Sequence, residues 1–152
     1  MDTSARFSGY AWYLLVISVS VFLLTGCGRK VWPTPQAAQD TFSWDQVNGT
    51  ADKGCLRITA VLQGQSANLA AVSVELEDNP QDGACLSCPF QPQVSRTVAL
   101  ESPQLQLQGD RLTLTICDLS PQRTYRWRLR GTNIYSRLPA AVSAVQTTTI
   151  AP

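Results

Sequence analysis

The 152-residue sequence predicts an all-β fold, an antiparallel β-sandwich. The main observation is a strict alternation of apolar and polar residues in three segments, 56–60, 72–77 and 125–130. A period of two residues is typical of a strand that buries one face of its sheet. Turn residues separate these segments, and beyond residue 26 no segment has a helical apolar period. Short strands with turns between them favour two packed sheets.

Successive strands can be assigned along the chain. The first contains Phe42, Trp44 and Val47 and is expected to end at the turn Asn48-Gly49. The third is expected to end at Asn79-Pro80, where a loop rich in Gly, Pro and Cys begins. The predicted strands cover residues 42–47, 56–64, 72–77, 94–100, 112–116, 125–130 and 141–148.

Composition limits the chemistry that the chain can perform. It has 12 basic and 11 acidic residues and no histidine, which gives a net charge of +1. That balance provides no strong field to attract nucleic acid. Without histidine, Ser-His-Asp, Cys-His and His-bearing zinc mechanisms are excluded, although other enzymes are not. We therefore expect a non-enzyme with no metal, no cofactor and no nucleic-acid partner.

The N-terminal region contains a short apolar run, residues 12–24, whose polar residues are two serines. The run is shorter than the roughly 20 residues of a transmembrane helix and suits a signal peptide. It leads into Leu24–Cys27, Leu-Thr-Gly-Cys, which resembles the signal of bacterial lipoproteins. This resemblance implies a diacylglyceryl group on the Cys27 thiol, cleavage before Cys27 and acylation of the new amino group. A short transmembrane anchor with an incidental thiol is the alternative.

The same resemblance implies a division of the chain. Residues 1–26 are expected to form the signal peptide, 27–40 a lipidated, Pro-containing tether, and 41–152 the globular domain. Gly28 stands where lipoproteins retained at the inner membrane usually have aspartate. The resemblance therefore implies an outer-membrane lipoprotein that faces the periplasm or the cell exterior.

The segment Leu119–Tyr125 has the pattern Leu-x-Pro-x-x-x-Tyr and resembles the corresponding turn of fibronectin type III domains. The resemblance covers most of residues 40–149 and implies a fibronectin type III or immunoglobulin-like sandwich. It also implies a tyrosine corner, in which the tyrosine hydroxyl bonds to the upstream turn. The chain departs from the family at Ala60, where a core tryptophan is usual. Trp44 and Trp127 are expected to fill that volume.

Four cysteines remain if Cys27 carries lipid, and an even number in an exported domain indicates disulfides. In the fibronectin arrangement the second and fifth strands are antiparallel neighbours. Cys55 begins one and Cys117 ends the other, both on the outer face by parity. The resemblance thus implies a Cys55–Cys117 bridge and leaves Cys85 to pair with Cys88.

The Cys-x-x-Cys-Pro segment at Cys85–Pro89 resembles a loop of uncharacterised bacterial lipoproteins with one fibronectin-like domain, which implies no activity. A local disulfide is the favoured interpretation. A thiol-disulfide redox site that uses Cys85 and Cys88 is an alternative, but it would need a helix after the motif, which Pro89 and Pro92 disfavour. A zinc site shared with Cys55 and Cys117 would lack the usual second Cys-x-x-Cys.

A row of arginines on the sixth strand is a candidate patch for anionic lipid, polysaccharide or an acidic partner. The favoured alternative is cross-strand pairing with Glu75 and Glu77 of the third strand, on a solvated sheet face. The residues of the patch are Arg123, Arg126, Arg128 and Arg130. The carboxylates expected to be solvated are Glu75, Glu77, Asp78 and Asp82.

These observations predict a membrane-anchored lipoprotein that presents a non-catalytic binding or envelope-structural module. The expected partners are membrane lipid, through acylated Cys27, and an envelope protein or polysaccharide. The alternative from another class is the redox protein with Cys85 and Cys88.

Overall fold

The computed structural model describes residues 13–14, 16–18, 34–79 and 88–151. The chain divides into two compact units, Met1–Thr34 and Pro35–Pro152. In the first unit, the described residues 13–14 and 16–18 are helical. Within the described ranges, no helix is long and apolar enough to cross a bilayer. The predicted acylation site and most of the predicted signal peptide lie outside these ranges.

The second unit consists of two antiparallel sheets. The first sheet has the order β1-β2-β6-β5 and the second has the order β4-β3-β7-β8, with β9 also paired to β7. A one-turn helix, α1 (Ala37–Asp40), precedes β1, and a 3-10 turn at Ser66–Asn68 precedes β3. The strands are β1 (Phe42–Asp52), β2 (Cys55–Gly64), β3 (Leu69–Asn79), β4 (Val94–Val98), β5 (Leu105–Gln108), β6 (Arg111–Ile116), β7 (Thr124–Asn133), β8 (Ala141–Val142) and β9 (Gln146–Thr149).

The core lies between the two sheets and follows the predicted alternation. Alternate residues of β2 and β6 are buried, as the period of two residues requires. In β3 and β7 the apolar residues are buried, and Ser73, Glu75 and Arg126 on the other face are buried as well. Trp127 of β7 is fully buried, and its indole N–H donates to Thr148 Oγ1 at 3.0 Å. Trp44 packs against this core and donates to the Ala141 carbonyl at 3.0 Å. Both tryptophans thus contribute to the core.

The predicted turn at Asn48-Gly49 is wrong, because β1 continues through it to Asp52. A Cβ atom at Gly49 would collide with the indole ring of Trp127, so glycine is needed here for close approach. The chain instead turns at Lys53 and Gly54, with φ of 47° and 76°. Positive φ at both central residues is what a type I′ hairpin turn requires.

The C-terminal strand is shorter and more interrupted than predicted, because β8 and β9 are separate. Ser143 lies between them, and its hydroxyl accepts the Leu129 N–H at 2.9 Å in place of a backbone carbonyl. A further strand, β5, was not predicted. It is four residues long and pairs with β6 through Leu105–Gln108, in which leucine and glutamine alternate over the shortest length that indicates a strand.

The chain preceding the sandwich is docked onto it at one end. The Asp40 carbonyl accepts hydrogen bonds from Asn133 Nδ2 at 2.7 Å and from Asn68 Nδ2 at 3.0 Å. Both asparagines are buried. The last residues of the predicted tether, from Pro35, therefore belong to the same compact unit as the sandwich. We call this end, formed by residues 35–41, 64–68 and 134–140, the tether end.

The turn before β7 has the predicted tyrosine contact. The Ser120 N–H donates to the Tyr125 hydroxyl at 3.1 Å, and Tyr125 and Leu119 both belong to the buried core. The hydroxyl therefore satisfies a backbone donor of the turn, while the ring adds apolar area to the core.

Replacing Tyr125→Phe should lower the free energy of unfolding by about 0.5–1.5 kcal/mol, since it removes one hydrogen bond and leaves the Ser120 N–H without its acceptor. Urea unfolding measures the change. Tyr135→Phe is the matched control, because the Tyr135 hydroxyl has no hydrogen bond within the described part of the chain. Equal stabilities of the two variants would contradict a structural role for the Tyr125 hydroxyl.

Candidate functional site: the charged face of β3 and β7

The candidate site is built by the pairing of β3 with β7. In this register Glu75 lies opposite Arg128, and Glu77 lies opposite Arg126. Because side chains alternate between the two faces of a strand, these charged residues share the outer face while Leu76 and its partner point into the core. We call this outer surface the charged face.

Each arginine of the predicted patch contacts a carboxylate. Arg128 Nε donates to Glu75 Oε2 at 2.6 Å, and Arg130 Nη1 lies 3.8 Å from the other oxygen of the same carboxylate. Arg126 Nη1 lies 3.3 Å from Glu77 Oε2. At the end of the row, Arg123 Nη1 lies 3.1 Å from Asp78 Oδ2. The structure therefore contains the cross-strand Glu–Arg pairs that were the favoured interpretation of the row.

The centre of the charged face is not solvated, contrary to the prediction for the carboxylates. The side chains of Glu75 and Arg126 are only 10% and 9% exposed, and that of Glu77 is 17% exposed. Asp78 is more open, and Asp82 lies outside the described residues. Ion pairs withdrawn from water carry a desolvation cost, so loss of either partner is far more destabilising than at a solvated surface.

The segment from Cys88 to Gln93 covers the charged face, and we call it the cover segment. The Cys88 carbonyl accepts a hydrogen bond from Arg126 Nη2 at 2.9 Å. The Gln91 N–H donates to Glu77 Oε2 at 3.1 Å, and the Gln93 N–H donates to the Leu76 carbonyl at 2.9 Å. The guanidinium and the carboxylate thus each bind backbone of this segment as well as each other.

Phe90 is the apolar centre of the cover segment. Its ring centroid lies 4.8 Å from Arg128 Cζ and 5.8 Å from Arg126 Cζ. A cation within about 6 Å of an aromatic face is attracted to it, more strongly where water is excluded. Sequence reasoning missed this residue. The available signal was one aromatic side chain in an otherwise polar loop, directly after the Cys-x-x-Cys-Pro motif.

Cys55, Cys88 and Cys117 lie at the end of the sandwich opposite the tether end, and we call it the cysteine end. Cys55 and Cys117 form the predicted disulfide between β2 and the residue after β6, with Cα atoms 4.0 Å apart. Cys88 is also disulfide-bonded. Its predicted partner, Cys85, lies outside the described residues. The cover segment that follows Cys88 has no helix, unlike the segment after the motif in thioredoxin-like enzymes.

Two shallow cavities open on the described part of the domain. One, of about 210 Å³, opens beside the charged face and is lined partly by Asp78, Arg96 and Tyr125. The other, of about 260 Å³, lies at the irregularity of β1 and is lined by polar side chains such as Gln46 and Thr113. Across the described ranges, no three His, Cys, Asp or Glu side chains are grouped to hold a metal ion.

Phe90 and Arg128 should be energetically coupled. In a double-mutant cycle of Phe90→Leu and Arg128→Met, we expect a coupling of about 0.5–2 kcal/mol, because each change removes one side of the cation–π contact. Urea unfolding of the four proteins measures it. A cycle of Phe90→Leu with Arg57→Met is the control, since Arg57 lies on the other sheet. Additive changes in the first cycle would exclude the contact.

The disulfide pattern can be read from a tryptic digest without reduction. We expect peptide 54–57, with Cys55, to be linked to peptide 112–123, with Cys117. Peptide 58–96 contains both Cys85 and Cys88 and should have the mass of an internally oxidised peptide. A link between 54–57 and 58–96 would contradict both the bridge and the predicted pairing of Cys85 with Cys88.

No protein-family model matches the chain, and no curated protein matches it. Among solved structures, the chain is similar to Astrotactin-2, described as a conserved vertebrate-specific and perforin-like membrane protein involved in neuronal development. The similarity has 12% sequence identity and a TM-score of 0.38, over 73% of this chain and 21% of that chain. The chain thus spans about a fifth of that protein's length.

Proposed function

We propose that the protein is a bacterial lipoprotein that presents a non-catalytic β-sandwich from the cell envelope, as a binding or envelope-structural module. Residues 1–26 act as the signal peptide, and acylated Cys27 becomes the anchor. The sequence Leu24–Cys27 and the apolar run before it support this proposal. Gly28 supports sorting to the outer membrane, with the domain facing the periplasm or the exterior.

The proposal includes a fibronectin type III-like or immunoglobulin-like fold. The order of the first sheet corresponds to strands A-B-E-D of such sandwiches, and the order of the second corresponds to C′-C-F-G. The hydrogen bond from the Ser120 N–H to the Tyr125 hydroxyl adds support, because a tyrosine corner occupies this place in those domains.

One observation carries the functional proposal. The tether joins the sandwich at one end, and the described cysteines of the domain lie at the other end. The chain reaches the sandwich at the tether end, where the Asp40 carbonyl is held by two asparagine amides. The Cys55–Cys117 bridge and the cover segment lie at the other end. An anchor on the tether therefore directs the cysteine end away from the membrane, toward an envelope protein or polysaccharide.

The charged face supports a structural role, in which it holds the cover segment in place for a binding partner. Its arginines are already paired with carboxylates and with the cover segment, so their charge is largely neutralised within the domain. Such a network fixes the conformation of the cover segment, and a fixed segment binds a partner with a smaller loss of conformational entropy.

Cys27→Ala should abolish metabolic labelling of the protein by a fatty-acid analogue and leave the unprocessed precursor, because the acyl acceptor is lost. Gel mobility and label incorporation in a bacterial host measure both effects. Cys88→Ala is the control for loss of a different cysteine and should keep the label. Labelling that persists in Cys27→Ala would refute the anchor.

A further inference from the structure

We propose that residues 134–138 form a second membrane contact, which lies against the headgroups and upper acyl chains of the bilayer that holds Cys27. We call these residues the membrane loop. The inference rests on the proposed lipid anchor and adds to it a surface of the folded domain that orients the sandwich on phospholipid.

The side chains of the membrane loop have the chemistry of an interfacial contact. Ile134 is 54% exposed, although it is a large aliphatic residue. Arg137 is exposed and makes no ion pair within the described ranges, while Tyr135 and Leu138 are half-buried. Aliphatic and aromatic residues beside an arginine suit the boundary between acyl chains and anionic headgroups.

The membrane loop is held in place by hydrogen bonds. The Ile134 N–H donates to the Asn68 carbonyl, and the Tyr135 N–H donates to Asn133 Oδ1, both at 2.9 Å. The Leu138 N–H donates to the Tyr135 carbonyl at 2.9 Å and closes a turn. The exposure of Ile134 is therefore a property of an ordered loop. An ordered loop inserts with little further loss of conformational entropy.

The membrane loop lies beside the tether, and this position identifies the bilayer as its partner. Asn133 and Asn68, which hold the loop, are the same residues whose side chains bind the Asp40 carbonyl. The loop therefore lies at the point where the tether joins the sandwich. A membrane that holds the tether can therefore reach this part of the domain.

The length of the tether limits the distance between the tether end of the domain and the bilayer. Eight residue steps separate Cys27 from Pro35, and covalent geometry limits such a chain to roughly 29 Å when fully extended. The 11 residues of β3, which are ten residue steps, span about 34 Å at the usual rise of a strand. The anchor thus holds the tether end within less than one strand length of the membrane, where the exposed Ile134 can insert.

Site-specific photocrosslinking in the full-length lipoprotein tests this inference. The variant Ile134→p-benzoylphenylalanine is produced in a bacterial host, irradiated in intact envelopes and analysed for phospholipid adducts by mass. Asp52→p-benzoylphenylalanine is the matched control, because Asp52 is exposed on the turn at the cysteine end. Fatty-acid labelling at Cys27 is measured in the same samples, and the Cys55–Cys117 bridge reports correct folding.

We expect a phospholipid adduct at residue 134 and none at residue 52, in protein that is labelled at Cys27 and correctly bridged. Labelled protein without an adduct at residue 134, or with equal adducts at both positions, overturns the membrane loop and leaves the anchor intact. Unlabelled protein overturns the anchor, and the membrane loop falls with it.

Discussion

In the β3–β7 ladder, Glu75 lies opposite Arg128 and Leu76 lies opposite Trp127, so charged pairs outside alternate with apolar pairs inside. A slip of one residue would exchange the two faces. It would bring the carboxylates and guanidinium groups into the core, at a desolvation cost of several kcal/mol per ion. The alternation therefore specifies one register. The core, the charged face and the cover segment all depend on that register.

The cover segment depends on the register of β3 and β7, because buried charges need hydrogen-bond partners in addition to their ion pairs. Arg126 binds Glu77, yet a guanidinium has five N–H donors, and in this buried position they cannot all be hydrated. The Cys88 carbonyl accepts from one of them, and Glu77 in turn accepts from the Gln91 N–H. The strand pair thus holds a segment that has no regular structure of its own. The main effect of the ion pairs is to fix the conformation of the cover segment. Their own Coulomb energy is the smaller contribution.

The strands of the core could be predicted because each half-buried strand carries its own alternation. The disulfide between Cys55 and Cys117 followed from parity together with the strand order that the fibronectin resemblance implies. Two features could not be predicted from the alternation of apolar and polar residues. The local turn signal of Asn48-Gly49 was overridden by tertiary packing, since Gly49 is where the indole of Trp127 needs space. The burial of Arg126 and Glu77 involves an irregular segment that hydrogen-bonds to both and has no periodic pattern to reveal what it covers.

The two ends of the sandwich are secured by different interactions. At the cysteine end, a covalent bridge joins β2 to the residue after β6, and Arg96 of β4 donates to the Cys117 carbonyl at 2.6 Å, which links the second sheet to the first. At the tether end, the chain is held by the side-chain amides of Asn68 and Asn133. Such hydrogen bonds contribute about 0.5–1.5 kcal/mol each. Local opening should therefore begin where the tether joins the domain, while the cysteine end keeps its structure.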